Sequence, residues 1–273
     1  MKTDIDLDDI LHFMQSVARE AGLVLLSFFD GRFRVHLKNT DKSQIDIVTD
    51  ADRASEEIIL EAIRRRFPHH DVISEERAPE IRGSRWKWFV DPLDGTVNFA
   101  HGFPVFCISI AVAEDDRLVA GIIYDPLRDE CFSASRGGGA FRNGDPIRVS
   151  SASRLIQSMV ATGFPYDKAT SPENNIAEFN RVATQVQAMR RAGSAAIDLA
   201  YVSCGRVDGF WELKLKPWDM AAGMLLVEEA HGRVSDRWGK TTDVYTDSIV
   251  ATNGLIHNAL IDLISPGGNT APN

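Results

Sequence analysis

"WKWFVDPLDGTVNFAHGFPVF", residues 86–106, decides how the chain is read. An apolar run ending at Val90 reads as a buried strand, and it leads straight into Asp91, Pro92, Asp94 and Gly95 before a hydroxyl residue and more apolar sequence. Two neighbouring carboxylates raise each other's proton affinity unless a cation stands between them. Three explanations compete: a divalent metal, a nucleophilic aspartate, or plain turn chemistry, which Asp, Pro and Gly suit without any catalytic role. Other acids argue against a mere turn. Glu75 and Glu76 close another expected strand, and Asp219 opens an expected helix in "KPWDMAAG".

On the N-terminal side, apolar residues at helical spacing over 7–29 predict a long amphipathic helix punctuated by Gly31. "ASEEIILEAIRRRF" (54–67) reads as a second helix stopped by Pro68, and "DVISEE" (71–76) as a short strand. On the C-terminal side, "FCISIAVAE", "RLVAGIIYDP", "ECFSASR" and "GAFRNGDPIRVS" are separated by turn signals, the pattern of an antiparallel meander over 104–150. Helices and strands then alternate. "SMVATGF" is an expected strand. "SPENNIAEFNRVATQVQ" (171–187) is an expected helix with Ser171 and Pro172 at its start, followed by helices in "SAAIDLAYVSCG" and "WDMAAGMLLVEEAHG" and strands in "GRVSD" and "SIVATN". The change of texture implies an N-terminal α+β unit, 1–150, carrying the antiparallel sheet. A C-terminal α/β unit, 151–273, would pack on it as layers of helix and sheet.

Bulk composition bounds the function. The chain has 273 residues, 44% hydrophobic and 25% charged, enough to bury a large core in one domain or two. Its formal charge of −9 disfavours direct nucleic-acid binding, which needs a basic footprint. The cluster Arg64–Arg66 reads as a solvated helix end. Three widely spaced cysteines suggest reduced thiols. The acidic start "MKTDIDLDDI" is unlike a secretory signal, and no apolar run approaches the roughly 20 residues of a membrane span, so a cytoplasmic protein is expected.

Hard cations take oxygen ligands, and two such ions can activate water and stabilise the leaving oxygen of a phosphate ester. If "GTVNF" opens a helix, the amides of Gly95 and Thr96 face a phosphate and the Thr96 hydroxyl lies beside it. Asp219 could instead be a simple N-cap, although the small residues after it would also let the helix start approach a neighbouring backbone closely.

"DPLDGTVNFAHGFP" and "KPWDMAAGMLLVEEAHGRVSD" closely resemble the two signature motifs of the magnesium-dependent, lithium-sensitive inositol monophosphatase family. The resemblance continues through "IDIVTDADRASE", "ISEE" and "GSAAIDLAYVSCGRVDGFWE", in family order from about residue 36 to 253. It implies an α-β-α-β-α sandwich, commonly a homodimer, that binds two or three Mg²⁺ ions, with Mn²⁺ able to substitute. Glu75, Asp91 and the carbonyl of Leu93 would hold one ion, and Asp91, Asp94 and Asp219 another, with Glu75 and Asp52 near a weaker third. Glu75 and Thr96 would orient and deprotonate the attacking water. Leu93, Asp94, Gly95 and Thr96 would meet the phosphate. Gly193, Ser194, Ala195 and Glu212, with Asp219, would meet the polyol hydroxyls, and Lys42 resembles a loop cation over the metals.

Three departures stand out: Val97 replaces a frequent threonine, Ser194 replaces a threonine but keeps the hydroxyl, and His231 interrupts the usual E-A-G-G, leaving Gly232 to take the left-handed helix end. His101 reads as a packed or surface histidine, and Trp211 and Trp218 as core anchors.

The implied activity is hydrolysis of a polyol phosphate monoester, foremost inositol monophosphate. Fructose 1,6-bisphosphate, histidinol phosphate and nucleotide 3′-phosphates are family alternatives, and partnership with the transcription machinery is one of another class. A haloacid-dehalogenase-type phosphatase would place its two aspartates one residue apart near the N-terminus, whereas Asp91 and Asp94 lie mid-chain and two apart.

Overall fold

The computed structural model describes residues 6–29, 31, 33–38 and 46–265. Helices α1 (Leu7–Phe29) and α2 (Asp50–Arg66) flank a two-stranded ribbon, β1 (Val35–Leu37) and β2 (Ile47–Thr49). The first large sheet holds seven strands in sequential order. They are β3 (Asp71–Ser74), β4 (Trp86–Asp94), β5 (Cys107–Glu114), β6 (Arg117–Asp125), β7 (Glu130–Ser135), β8 (Gly139–Arg142) and β9 (Asp145–Pro146). Only the β3–β4 pairing is parallel. The meander expected over 104–150 is therefore present. A short helix, α3 (Thr96–Ala100), separates β4 from β5.

The second sheet has the order β11-β10-β12-β14-β13, built from β10 (Met159–Thr162), β11 (Ala188–Arg190), β12 (Gly209–Leu213), β13 (Arg233–Ser235) and β14 (Ser248–Thr252). Its helices are α4 (Ile176–Ala183), α5 (Ala195–Ser203), α6 (Pro217–Glu229) and α7 (His257–Ile264).

Side-chain alternation in the strands explains the layering. In β5, Ile108, Ile110 and Val112 point into an apolar cluster with α1 and α2, whereas Cys107, Ala111 and Ala113 point into one with α5 and α6. The opposite face of the five-stranded sheet contributes Val160, Trp211 and Val250 to a third cluster with α4 and α7. Helix pair, sheet, helix pair, sheet and helix pair follow one another: the α-β-α-β-α sandwich. The middle cluster draws on both sides of residue 150, since Phe89 and Ile123 share it with Leu199 and Leu225.

Small residues set the spacing of the middle layer. A Cβ on Gly121 would stand 3.0 Å from Ala222 Cα, and one on Gly223 2.5 Å from Leu199 Cβ, so α6 lies close against β6 and α5. The run "MAAG" serves the close approach expected of it.

Several local expectations need correction. β4 does not stop at Val90 but runs through to Asp94, with an irregularity between Asp91 and Asp94 that accommodates Pro92. α4 starts at Ile176 rather than near Ser171, because Asn175 has φ 66° and its buried amide bonds Thr162, Gly163 and Trp211 instead of opening a longer helix. His231 itself takes the left-handed conformation, with φ 68°. Gly232 is needed for a different reason: a Cβ there would lie 2.6 Å from Val227 Cγ1 and 2.7 Å from the Thr252 carbonyl. Trp211 is fully buried as expected, but Trp218 is half-buried and lines the pocket described below. Strands β11 and β12 and helix α7 were not anticipated. Arg64 and Arg66 do end α2, where they pair with Glu80 and Asp9.

Candidate active site

Each acidic residue reaches the site through a local cap or strand end. Thr49 caps α2, and Asp52, three positions on, returns the contact: its Oδ2 accepts from Thr49 N at 2.7 Å and Thr49 Oγ1 at 2.5 Å. The other oxygen, Oδ1, accepts from Thr96 Oγ1 at 3.0 Å. The single Thr96 proton is shared between that oxygen and the Leu93 carbonyl, 3.1 Å away. Gly95 permits this bend. Its φ is 96°, and a Cβ would lie 2.9 Å from the Val105 carbonyl.

Asp94 joins the two sheets. Its Oδ2 accepts from Ser194 Oγ at 2.6 Å and from Ala196 N at 2.7 Å, at the start of α5, while Ser194 also caps that helix through Ile197 N. Asp219 is not the N-cap of α6. It is the third helical residue, behind Lys216 and Pro217, and its Oδ2 accepts from Lys216 N at 2.7 Å. Asp91 is buried and accepts from Leu93 N at 3.0 Å.

One pocket of about 620 Å³ gathers these groups. It is lined by Glu75, Asp91, Leu93, Asp94, Gly95 and Thr96 from the first sheet's end, and by Gly193, Ser194, Ala195, Glu212 and Asp219 from the second half. Asp52 stands behind Thr96 and does not line it. Lys42 lies outside the described residues, as do the rest of 39–45. Among the described residues Lys38 brings an ammonium to the acids instead, with Nζ 2.5 Å from both Glu75 Oε1 and Glu76 Oε1, and Lys168, Lys214 and Lys216 also line the pocket. Desolvation opposes the Lys38 charge, but Glu75 and Glu76 outweigh it and raise its pKa. Arg191 lines the pocket, whereas Arg190 lines a separate cavity of about 530 Å³ beside Arg128, Tyr201 and Arg206. His101 is exposed and apart from these groups.

Crowding of like charges marks the electrostatics. Desolvation, then Glu75, Asp94 and Asp219, push Asp91 well above the usual carboxylate range. Asp219 is raised by desolvation, Glu75 and Asp94. Desolvation lifts Asp94 to about 6 against the hydrogen bonds from Ser194 and Ala196. Asp52 rises to about 6 through desolvation, opposed by its threonine donors. Desolvation and Glu75 bring Glu76 to about 7, and desolvation with Asp198 and Asp94 brings Glu212 to about 8.

This donor set fits a hard divalent cation. It consists of oxygens, it is short of positive charge, and its carboxylates penalise one another in a way such an ion would relieve. As arranged, no three acidic, histidine or cysteine side chains among the described residues form a group that would hold a metal ion, and Asp94 and Asp219 each turn Oδ2 toward protein donors.

Comparison with known proteins places the chain in a family. Residues 6–266 match the model of the inositol monophosphatase family. This chain belongs to that family. An inositol-1-monophosphatase from Synechocystis is 47% identical over 79% of this chain and 75% of its own length. The Nus factor SuhB of Escherichia coli is 41% identical over 92% of this chain and 94% of its own. The solved inositol monophosphatase of Anabaena superposes with a TM-score of 0.86 at 40% identity, over 96% of this chain and 99% of that one. As an inositol monophosphatase family member, the protein is a phosphoric monoester hydrolase. Among its described residues no helix is long and apolar enough to cross a membrane.

Sequence reasoning did not single out Lys38, Asp46, Tyr166 or Asp198, all of which line the pocket. For Asp198 a signal existed: it is the lone charge in the otherwise apolar run "AAIDLA".

Proposed function

We propose that this chain hydrolyses the phosphate monoester of a neutral polyol, with inositol monophosphate the foremost substrate. The observation that carries the reading is the convergence of Glu75, Asp91, Asp94 and Asp219 with the Thr96 hydroxyl on one pocket. Glu75, Asp91, the Leu93 carbonyl, Asp94 and Asp219 would hold magnesium, as two or three ions that manganese can replace. When bound, such ions neutralise phosphate charge and lower the pKa of water.

The chain's own residues do the rest. Asp52 fixes the Thr96 hydroxyl, Thr96 and Glu75 orient the attacking water, and the Glu75 carboxylate accepts its proton. The Gly95 and Thr96 backbone meets the phosphate. Gly193, Ser194, Ala195 and Glu212 position the alcohol, and Glu212 offers a second phosphate no positive charge, which supports a monophosphate over fructose 1,6-bisphosphate. The family resemblance supports a homodimer and lithium sensitivity, and the sparse free cysteines support a cytoplasmic setting.

A panel of polyol, histidinol and nucleotide 3′-phosphates assayed with magnesium, with and without lithium, tests the substrate class. Inositol monophosphate should give the highest kcat/KM, and turnover of a bisphosphate tenfold faster would overturn the assignment. Asp94→Asn should abolish turnover while the protein stays folded, and full activity in that variant would remove the cation role.

Similarity to the SuhB relative favours a second reading, partnership with the transcription machinery. Pull-down from lysate with the Asp94→Asn variant separates the two. RNA polymerase components retained by an inactive variant support a second job, and their absence from both proteins rejects it.

A further inference from the structure

Asp198 lies in the first turn of α5, four residues after its cap Ser194, and only 3% of it is exposed. Among the described residues no donor hydrogen-bonds its carboxylate; desolvation, the nearby Asp94 and the opposing Arg191 are what act on it. Glu212, across the pocket on β12, is likewise acted on by desolvation, Asp198, Asp94 and Arg191 and by no hydrogen bond. Gly163 clears the space for Glu212, since a Cβ at 163 would overlap all three atoms of that carboxylate. Both side chains line the pocket, and Arg191 is the cation that faces both.

Neither carboxyl group is sealed: Glu212 is only partly buried and both side chains line the pocket, so their oxygens open onto space that water or a ligand's donors must fill. The catalytic carboxylates have the expected cations to relieve them. Asp198 and Glu212 line the same pocket as Gly193, Ser194 and Ala195. Asp198 and Glu212 offer oxygen acceptors whether or not they are ionised, and hydroxyl groups bring the donors that the two carboxyl groups lack.

We propose that Asp198 is a specificity-determining residue that accepts a hydrogen bond from a hydroxyl of the leaving alcohol, working with Glu212 to select a hydroxyl-rich leaving group. The inference rests on the reading of the protein as a polyol phosphate hydrolase. Asp198 also borders the second cavity, beside Tyr201 and Arg206. A role confined to that side is the structural alternative.

The test compares wild type with Asp198→Leu, which leaves no acceptor, on inositol monophosphate, its single-deoxy analogues and p-nitrophenyl phosphate, which has no aliphatic hydroxyls. The ratio of kcat/KM for inositol monophosphate to that for p-nitrophenyl phosphate should fall about tenfold, with the loss in KM. One deoxy analogue should show no further loss on substitution, because the contact is already gone. Equal losses on both substrates, or an unchanged ratio, would overturn the role of Asp198 and leave the proposed function standing. Wild-type turnover of p-nitrophenyl phosphate with none of any polyol phosphate would overturn both. Asp198→Ala, checked by circular dichroism, serves if the Leu variant does not fold, and the same ratio is read.

Discussion

Desolvation, Asp198 and Asp94 push Glu212 up to about 8, from 4.5 for an ordinary glutamate. An acid whose folded value is raised binds more protons folded than unfolded between the two values, so stability is greatest at low pH and is lost as pH rises toward 8. In chelator-treated protein, Glu212→Gln should therefore flatten the fall in denaturant stability between pH 5 and 8.5, with a gain of on the order of 3 kcal/mol at the upper end. No difference between the variants across that range would mean Glu212 is not desolvated. Thr96 makes a second residue-scale case, since its hydroxyl is held by Asp52 and the Leu93 carbonyl. Thr96→Val should lower kcat by about 10²-fold or more while Thr96→Ser stays within about tenfold, measured at saturating magnesium. The acids in the signature stretches were legible because their motifs are specific. Lys38 and Asp198 were not, because a pocket wall assembled from distant segments leaves little pattern in either segment alone.

Glycine placement governs the elements. Gly223 faces Leu199 so closely that Gly223→Ala forces α6 and α5 apart, and we expect a loss of about 2 kcal/mol in urea unfolding. His231 is the opposite case. Its φ of 68° strains a residue with a side chain, so His231→Gly should raise stability by about 0.5 kcal/mol once the extra freedom of the unfolded glycine is deducted. A lower melting temperature in that variant would show that the imidazole makes a compensating contact. The antiparallel meander and the long helices could be read from periodicity. The start of α4 could not, because Asn175 answers to Trp211 and Thr162 rather than to its chain neighbours. Strands β11 and β12 went unread although β13 and β14, of the same three and five residues, were anticipated, so length alone does not decide which strands the sequence declares.

At the scale of the molecule, the layered sandwich was expected from the change of texture near residue 150 together with the family motifs. The sharing of one apolar cluster across that point was not, since contacts between distant segments leave no periodic trace. The bond from Asp94 to Ser194 and Ala196 ties the end of one sheet to the first turn of a helix in the other half. The proposed ligand set draws Glu75, Asp91 and Asp94 from one side of residue 150 and Asp219 from the other, so neither half alone would present it whole. Separately expressed 1–150 and 151–273 fragments should each be inert toward phosphate esters, and any recovery on mixing should track their association. A divalent ion would then act as a latch across the seam, slowing the parting of the halves more than it speeds their meeting.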